Sequence, residues 1–308
     1  MNKGGSMTLD YRKIVKYPPE TFVEATATNL IAGSNTLFEY KNIDYRPKYI
    51  ITLAGLSFDN SVDGRFTLKV DDMDGVMKIN NTTATKGIQY NEEVRIPASK
   101  NLVGTLYMPS TVSNYKFRHM IRVERPTPLT KMFYGFELSD RDRELIEKYG
   151  IRNIKTKELN PFEDNIQKVI TSGKRLTSSG TIFRITVPRD YKVILLDISA
   201  TTPASPNQAT IEVERDGVDT LSLDAYCLQG LNPIWNGSRY TNALRVVALD
   251  EMVITANITS GTHDFRITYA IGKLTLEEKI RWNLDLTPSE IKEAESSNLF
   301  ELVEAGLA

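Results

Sequence analysis

The chain of 308 residues holds a single cysteine, Cys227, and only two histidines, His119 and His263. One thiol excludes an intrachain disulfide framework and a cysteine-rich zinc site. It does not separate a cytosolic from an exported protein. No run approaches the roughly 18 apolar residues of a membrane span. The opening MNKGGSMTLDYRK has no apolar centre, so it does not read as a secretory signal. Charge of one sign is also missing: 38 Lys and Arg face 39 Asp and Glu, a net of −1. That removes the broad electrostatic drive toward nucleic acid, while a local basic patch stays possible. There is no G-x-S-x-G elbow, no H-E-x-x-H pair, and no Gly-rich loop between a strand and a helix.

What the chain does have is a repeat. Tyr90 to Phe117, YNEEVRIPASKNLVGTLYMPSTVSNYKF, returns as Tyr240 to Ile267, YTNALRVVALDEMVITANITSGTHDFRI, at a constant offset of 150. Arg95 falls on Arg245, Ala98 on Ala248, Val103 on Val253 and Thr105 on Thr255. Such a match implies one module used twice.

The modules read as β structure. Eight short alternating or β-branched runs fill 22–124, among them KYIITLAGLSF, RFTLKV and LVGTLYM. Turn residues such as Asp63-Gly64 separate them. This spacing predicts a β-sandwich or jelly roll. In the second copy, GTIFRI matches SNTLFE, and Asp216-Gly217 is set opposite Asp74-Gly75. Each copy then ends in helical signals. Ser139 with Asp142 and Thr287 with Glu290 predict capping boxes, with Pro288 at a first helical position. Leu274-Thr275 is set against Leu129-Thr130. The expected organisation is an N-terminal arm (1–20), a first β-sandwich domain with its helical appendix (21–151), a linker (152–164), and a second domain with appendix and tail (165–308). The last stretch, SSNLFELVEAGLA, has no counterpart, and Leu299, Phe300, Leu302, Val303 and Leu307 give it an apolar stripe.

Candidate chemistry is thin. His119 falls in a strand and His263 in a hairpin turn, at positions that do not correspond, so both read as ordinary structural residues. Cys227 reads as a small buried apolar residue. Asp71, Asp72 and Asp74 resemble part of a calcium loop, but the spacing and the closing glutamate of an EF-hand are absent. No catalytic residue, cofactor or metal site is expected. The paired helices are acidic or mixed in charge, which argues against DNA. Trp235 and Tyr240, in and just after the long 225–239 loop, are the candidate ligand or contact residues, and a sugar is the ligand they would suit.

The two-module architecture resembles tandem β-sandwich, double jelly-roll-like structural proteins of phage and virus particles. In that family the prominent helices lie within each jelly roll, whereas here they follow each domain, so a decoration or tail role fits as well as a capsid one. The resemblance implies a non-enzymatic particle subunit located in the virion, or otherwise in the cytoplasm. It implies a homo-oligomer, a trimer being one form, that meets other particle proteins through subunit contacts. The arm and the tail stripe at Leu299, Phe300, Leu302 and Val303 are the expected contact elements. A carbohydrate-binding or adhesive surface module is the alternative, and an enzyme with a site assembled in space is the third reading.

Overall fold

The computed structural model describes residues 17, 20–41, 49–59, 63–81, 96–151, 166–201, 203, 205–228, 234–235, 240–241 and 244–307. The arm before Tyr17, the linker 152–164, Arg95 and much of the 225–239 loop lie outside the described residues.

The first half supplies β1 (Glu20–Leu30), β2 (Gly33–Tyr40), β3 (Ile50–Phe58), β4 (Gly64–Val70), β5 (Met73–Asn81), β6 (Ile96–Ala98), β7 (Leu102–Met108) and β8 (Val112–Glu124). They form two antiparallel sheets, ordered β1-β8-β3-β6 and β2-β7-β4-β5. First pairs with last and second with seventh, which is the wrapping of a jelly roll. The second half supplies β9 (Ile166–Leu176), β10 (Gly180–Thr186), β11 (Tyr191–Ala200), β12 (Ala209–Arg215), β13 (Val218–Asp224), β14 (Ile234–Trp235), β15 (Tyr240–Thr241), β16 (Val246–Ala248), β17 (Glu251–Ile258) and β18 (His263–Lys273). Its sheets run β9-β18-β11-β16 and β10-β17-β12-β13, the same order again. The ribbon β14–β15 lies between β13 and β16.

Patterning explains the layers. In β4, Phe66, Leu68 and Val70 point inward while Arg65 and Lys69 point out. The sandwich closes over Phe38, Phe66 and Leu106 from one sheet and Leu53, Phe117 and Ile121 from the other. Strand β11 is buried along most of its length because both its faces are covered. Its outward Ile194 and Leu196 sit under Tyr17 and Trp282.

The duplication reaches the irregularities. Thr36 pairs with Thr105, and the register then shifts before Phe38; Thr181 pairs with Thr255, and it shifts before Phe183. Ile51 pairs with Ala98 ahead of a shift at Leu53/Gly55; Val193 pairs with Ala248 ahead of one at Leu195/Asp197. A bulge bends a strand where the sandwich needs the bend, so both copies keep it.

Among the described residues, five short helices follow the sandwiches: α1 (Pro128–Tyr134), α2 (Asp140–Tyr149), α3 (Leu276–Arg281), α4 (Pro288–Ser296) and α5 (Leu299–Ala305). The predicted capping boxes form at Ser139/Asp142 and at Thr287/Glu290. Each box carboxylate also takes a lysine from the preceding helix, Lys131 to Asp142 at 2.7 Å and Lys279 to Glu290 at 2.8 Å. The N-caps of α1 and α3 are Thr127 and Thr275. Thr275 therefore corresponds to Thr127, not to Thr130, which corrects the expected match by three positions.

The halves are strapped together at both ends. Near the N-terminus, Tyr17 packs against Trp282 with tilted rings 5.4 Å apart, and Glu20 pairs with Arg215 of the second half at 3.1 Å. At the other end, α5 packs on α1 and α2 of the first half, placing Ala305 among Leu129, Leu145, Ile146 and Ile151. Between them, Lys116 lies 3.8 Å above the Tyr226 ring.

Candidate functional site

His119 is the most chemically loaded candidate. It projects from β8 into the first sandwich and is 1% exposed. Its Nε2 lies 2.7 Å from the Tyr40 hydroxyl and 3.5 Å from a Glu24 carboxylate oxygen. Its ring stacks on Phe38 at 4.4 Å. The ring's Nδ1 has no hydrogen-bond partner. A proton on Nε2 leaves only a lone pair unmatched at Nδ1, so the ring donates from Nε2. Burial pushes the imidazole down to about 3 and the Glu24 carboxyl up to about 7. Both groups are therefore held neutral near pH 6. The His119 ring is buried between Phe38 and Phe117, and Glu24 alone keeps a partly exposed edge.

The second sandwich confirms what this triad replaces. By the shared registers, His119 is matched by Ile267, Tyr40 by Ile185 and Glu24 by Ser172. Phe183 meets Tyr269, the counterpart of Ile121, at 4.6 Å. The polar cluster is thus peculiar to the first copy. It joins residues of β1 and β2 to one on β8, 79 residues after Tyr40, and no local signal marks it.

The other reactive side chains are occupied. His263 places Nε2 2.9 Å from the Ser260 carbonyl and is 4% exposed. Cys227 follows β13 in a 3-10 turn, Ala225–Cys227, where burial pushes its thiol up to about 12. A thiol held that high is not a nucleophile at neutral pH. No group of three metal-ligating side chains converges among the described residues.

The acidic turn differs from expectation. The two-residue hairpin turns are Asp71-Asp72 and Asp216-Gly217, and Asp74-Gly75 lies within β5. Asp71 and Asp216 both have positive φ, 52° and 49°. The Asp71 Oδ1 accepts from the backbone N–H groups of Ser99, Lys100 and Asn101 at 3.1, 2.6 and 3.0 Å. The Asp216 Oδ1 accepts from Leu249, Asp250 and Glu251 at 3.1, 2.8 and 3.1 Å. What the copies share is this carboxylate clasp, not merely an Asp-Gly turn. The clasp commits the Asp71 carboxylate to backbone N–H groups, while Asp72 and Asp74 face solvent beside Lys100 and Lys69.

A cleft of about 600 Å³ opens between the second sandwich and its helices, lined by Arg189, Asp190, Leu249, Lys273, Lys279 and Glu290 among others. Lys279 bridges Asp190 and Glu290 at 2.7 and 2.8 Å. These bonds drive Glu290 down to about 2 and raise Lys279. The trio is ionised and mutually satisfied, which suits a structural clamp better than proton transfer.

The predicted contact residues are divided by the structure. Trp235 and Tyr240 pair opposite each other across the β14–β15 ribbon. In the tail, Val303 is buried, Leu299 and Leu302 are half-buried, and Phe300 is 40% exposed. Glu301 binds Lys148 and Tyr149, and Glu304 binds Arg141, so α5 is clasped to α2 of its own chain. The tail expected to wait for a neighbour is thus largely taken up within the chain, and Phe300 is the stripe residue left open.

No family model matches the chain, and no curated protein matches it. Solved structures show distant likeness. An exported protein of PBSX, XepA, is 10% identical over 81% of this chain and 86% of its own, with a TM-score of 0.24. Procruciferin, the 11S globulin of Brassica napus, is 9% identical over 92% and 86%, at 0.21. The turret protein A223 of Sulfolobus turreted icosahedral virus is 12% identical over 82% and 97%, at 0.17. Likenesses of this degree assign no family.

Proposed function

We propose that the chain is a non-enzymatic structural subunit of a viral particle, a capsid, decoration or tail-associated protein that works through subunit contacts. The observation that carries this reading is the construction of the block. Two jelly rolls with the same strand order, bulges and turn clasps are strapped by both chain ends into one unit. Jelly rolls serve capsids, lectins and cupins alike. Here the titratable groups inside are sealed or ion-paired, and the repeated features are scaffold. Light scattering and negative-stain microscopy across the micromolar range test the reading. Ordered oligomers are expected, and a strict monomer throughout overturns it. Gene neighbours encoding a portal or packaging ATPase would add independent support.

A second reading, a carbohydrate-binding or adhesive module, is favoured by the β14–β15 ribbon. It sets Trp235 directly across from Tyr240. Aromatic residues on a β framework suit sugar rings. Glycan-array binding lost in Trp235→Ala would support this reading, and no binding by the wild-type protein would remove it.

A further inference from the structure

The outer faces of the two corresponding sheets carry opposite charge at matching positions. In the first sandwich, Val103 of β7 is flanked by Glu39 on β2 and Lys69 on β4. In the second, Val253 of β17 is flanked by Arg184 on β10 and Glu214 on β12. One step along, Thr105 has Thr67 beside it, and Thr255 has Glu212. Arg65 extends the positive side of the first face. The centres are the same Val and Thr pair, and the flanks are exchanged in sign. Met73, Val76 and Tyr107 are 61%, 43% and 45% exposed on the first sheet.

We infer that the β2-β7-β4-β5 face of one copy docks on the β10-β17-β12-β13 face of a second copy of this chain. The charge pattern also selects the orientation. Turning one sheet over about an axis across its strands keeps the lateral order. Then Glu39 comes over the β10 side with Arg184, and Lys69 over the β12 side with Glu214, with β7 and β17 running in opposite directions. Turning it about an axis along the strands brings like charges together. The partner surfaces differ, so the contact is heterologous and builds rings or open chains.

The local competition is weak. Lys69 now pairs with Asp74 at 3.3 Å, and Arg184 with Glu251 at 3.2 Å, all on exposed side chains. Such surface pairs contribute little and exchange readily. Four strands of about seven residues span roughly 450 Å² per partner, from the usual strand spacing and rise. That is at the small end for specific interfaces, so association should be concentration-dependent and sensitive to salt.

The inference rests on the subunit reading above, and charge exchange separates the two. One variant carries Arg65→Glu with Lys69→Glu; the other carries Glu212→Lys with Glu214→Lys. All four positions are exposed, and circular dichroism checks that each variant folds. Sedimentation velocity should show wild-type association that weakens as salt rises. Each variant alone should associate roughly tenfold or more weakly. Mixing the two should restore assembly, because each then meets a complementary face. Wild-type association untouched by either reversal, or a mixture that stays dispersed, overturns this contact and leaves the subunit reading standing. A wild-type protein that stays monomeric overturns both.

Discussion

Single residues in this chain mostly serve the scaffold, and their effects can be calculated from what they touch. Glu24 has its carboxyl raised to about 7 by burial beside His119. Between about pH 4.5 and 7 the folded protein therefore holds a proton that the unfolded chain has released. Stability must fall as pH rises through that window. Glu24→Gln does not titrate, so the difference between wild type and variant isolates the effect. Urea midpoints at pH 4.5 and 8 should show the wild type losing about 2–3 kcal/mol relative to the variant; a difference independent of pH would sink the assignment. The clasps behave differently. Asp216→Ala frees three backbone N–H groups at once and should cost about 2–3 kcal/mol, with Asp216→Asn losing less because an acceptor remains. Asp71→Ala should cost a similar amount, measured by the same denaturation midpoints, since its geometry is the same. This equivalence was only partly legible in the sequence. The shared dipeptide Asp-Gly drew the match to Asp74, whereas the structural partner of Asp216 is Asp71, followed by Asp72. Matching letters report composition, while the clasp depends on a carboxylate facing a turn some 30 residues later, which no local pattern displays.

At the scale of elements, the readable features were those set by neighbours in sequence. Strand alternation, the capping boxes at Ser139 and Thr287, and the shared face of Leu145 and Ile146 all follow from periodicity within a few residues. The partner of the tail did not. Its stripe announced an apolar contact, but α5 finds that contact on α1 and α2, more than 140 residues earlier in the chain. Gly306 is the hinge of this docking. It caps α5 at φ +77°, and a Cβ there would lie 2.5 Å from the Thr127 hydroxyl and 2.7 Å from its Cβ. Gly306→Val should therefore strain the cap and lift the tail from α1. Limited proteolysis should cut after α4 several times faster in the variant, while the sandwiches remain resistant. Equal cleavage rates would mean that the close fit of Gly306 on Thr127 does not hold α5 in place.

For the whole molecule, the question is why two similar sandwiches behave as one block. The straps are reciprocal: residues before β1 reach the second half, and the helix after α4 reaches the first. The deepest link is Glu20 with Arg215, side chains 0% and 1% exposed and paired through both carboxylate oxygens at 3.1 Å. Tyr17 caps the pair from its backbone N–H at 3.3 Å, and Arg215 also donates to the Val247 carbonyl at 3.1 Å. Burial raises the Glu20 carboxyl while Arg215 pulls it down. Desolvation of both ions offsets most of their attraction, so the pair adds little net stability. Its effect is specificity, because a sandwich placed elsewhere leaves two charges buried alone. Glu20→Ala strands the guanidinium and should cost about 3–5 kcal/mol, whereas Glu20→Met combined with Arg215→Met should recover most of that loss. Calorimetry distinguishes registration from stability. The wild type should unfold in one transition, and Glu20→Ala should separate into two as the halves uncouple. If the double variant is as unstable as the single one, the pair is a net source of stability and the registration role fails.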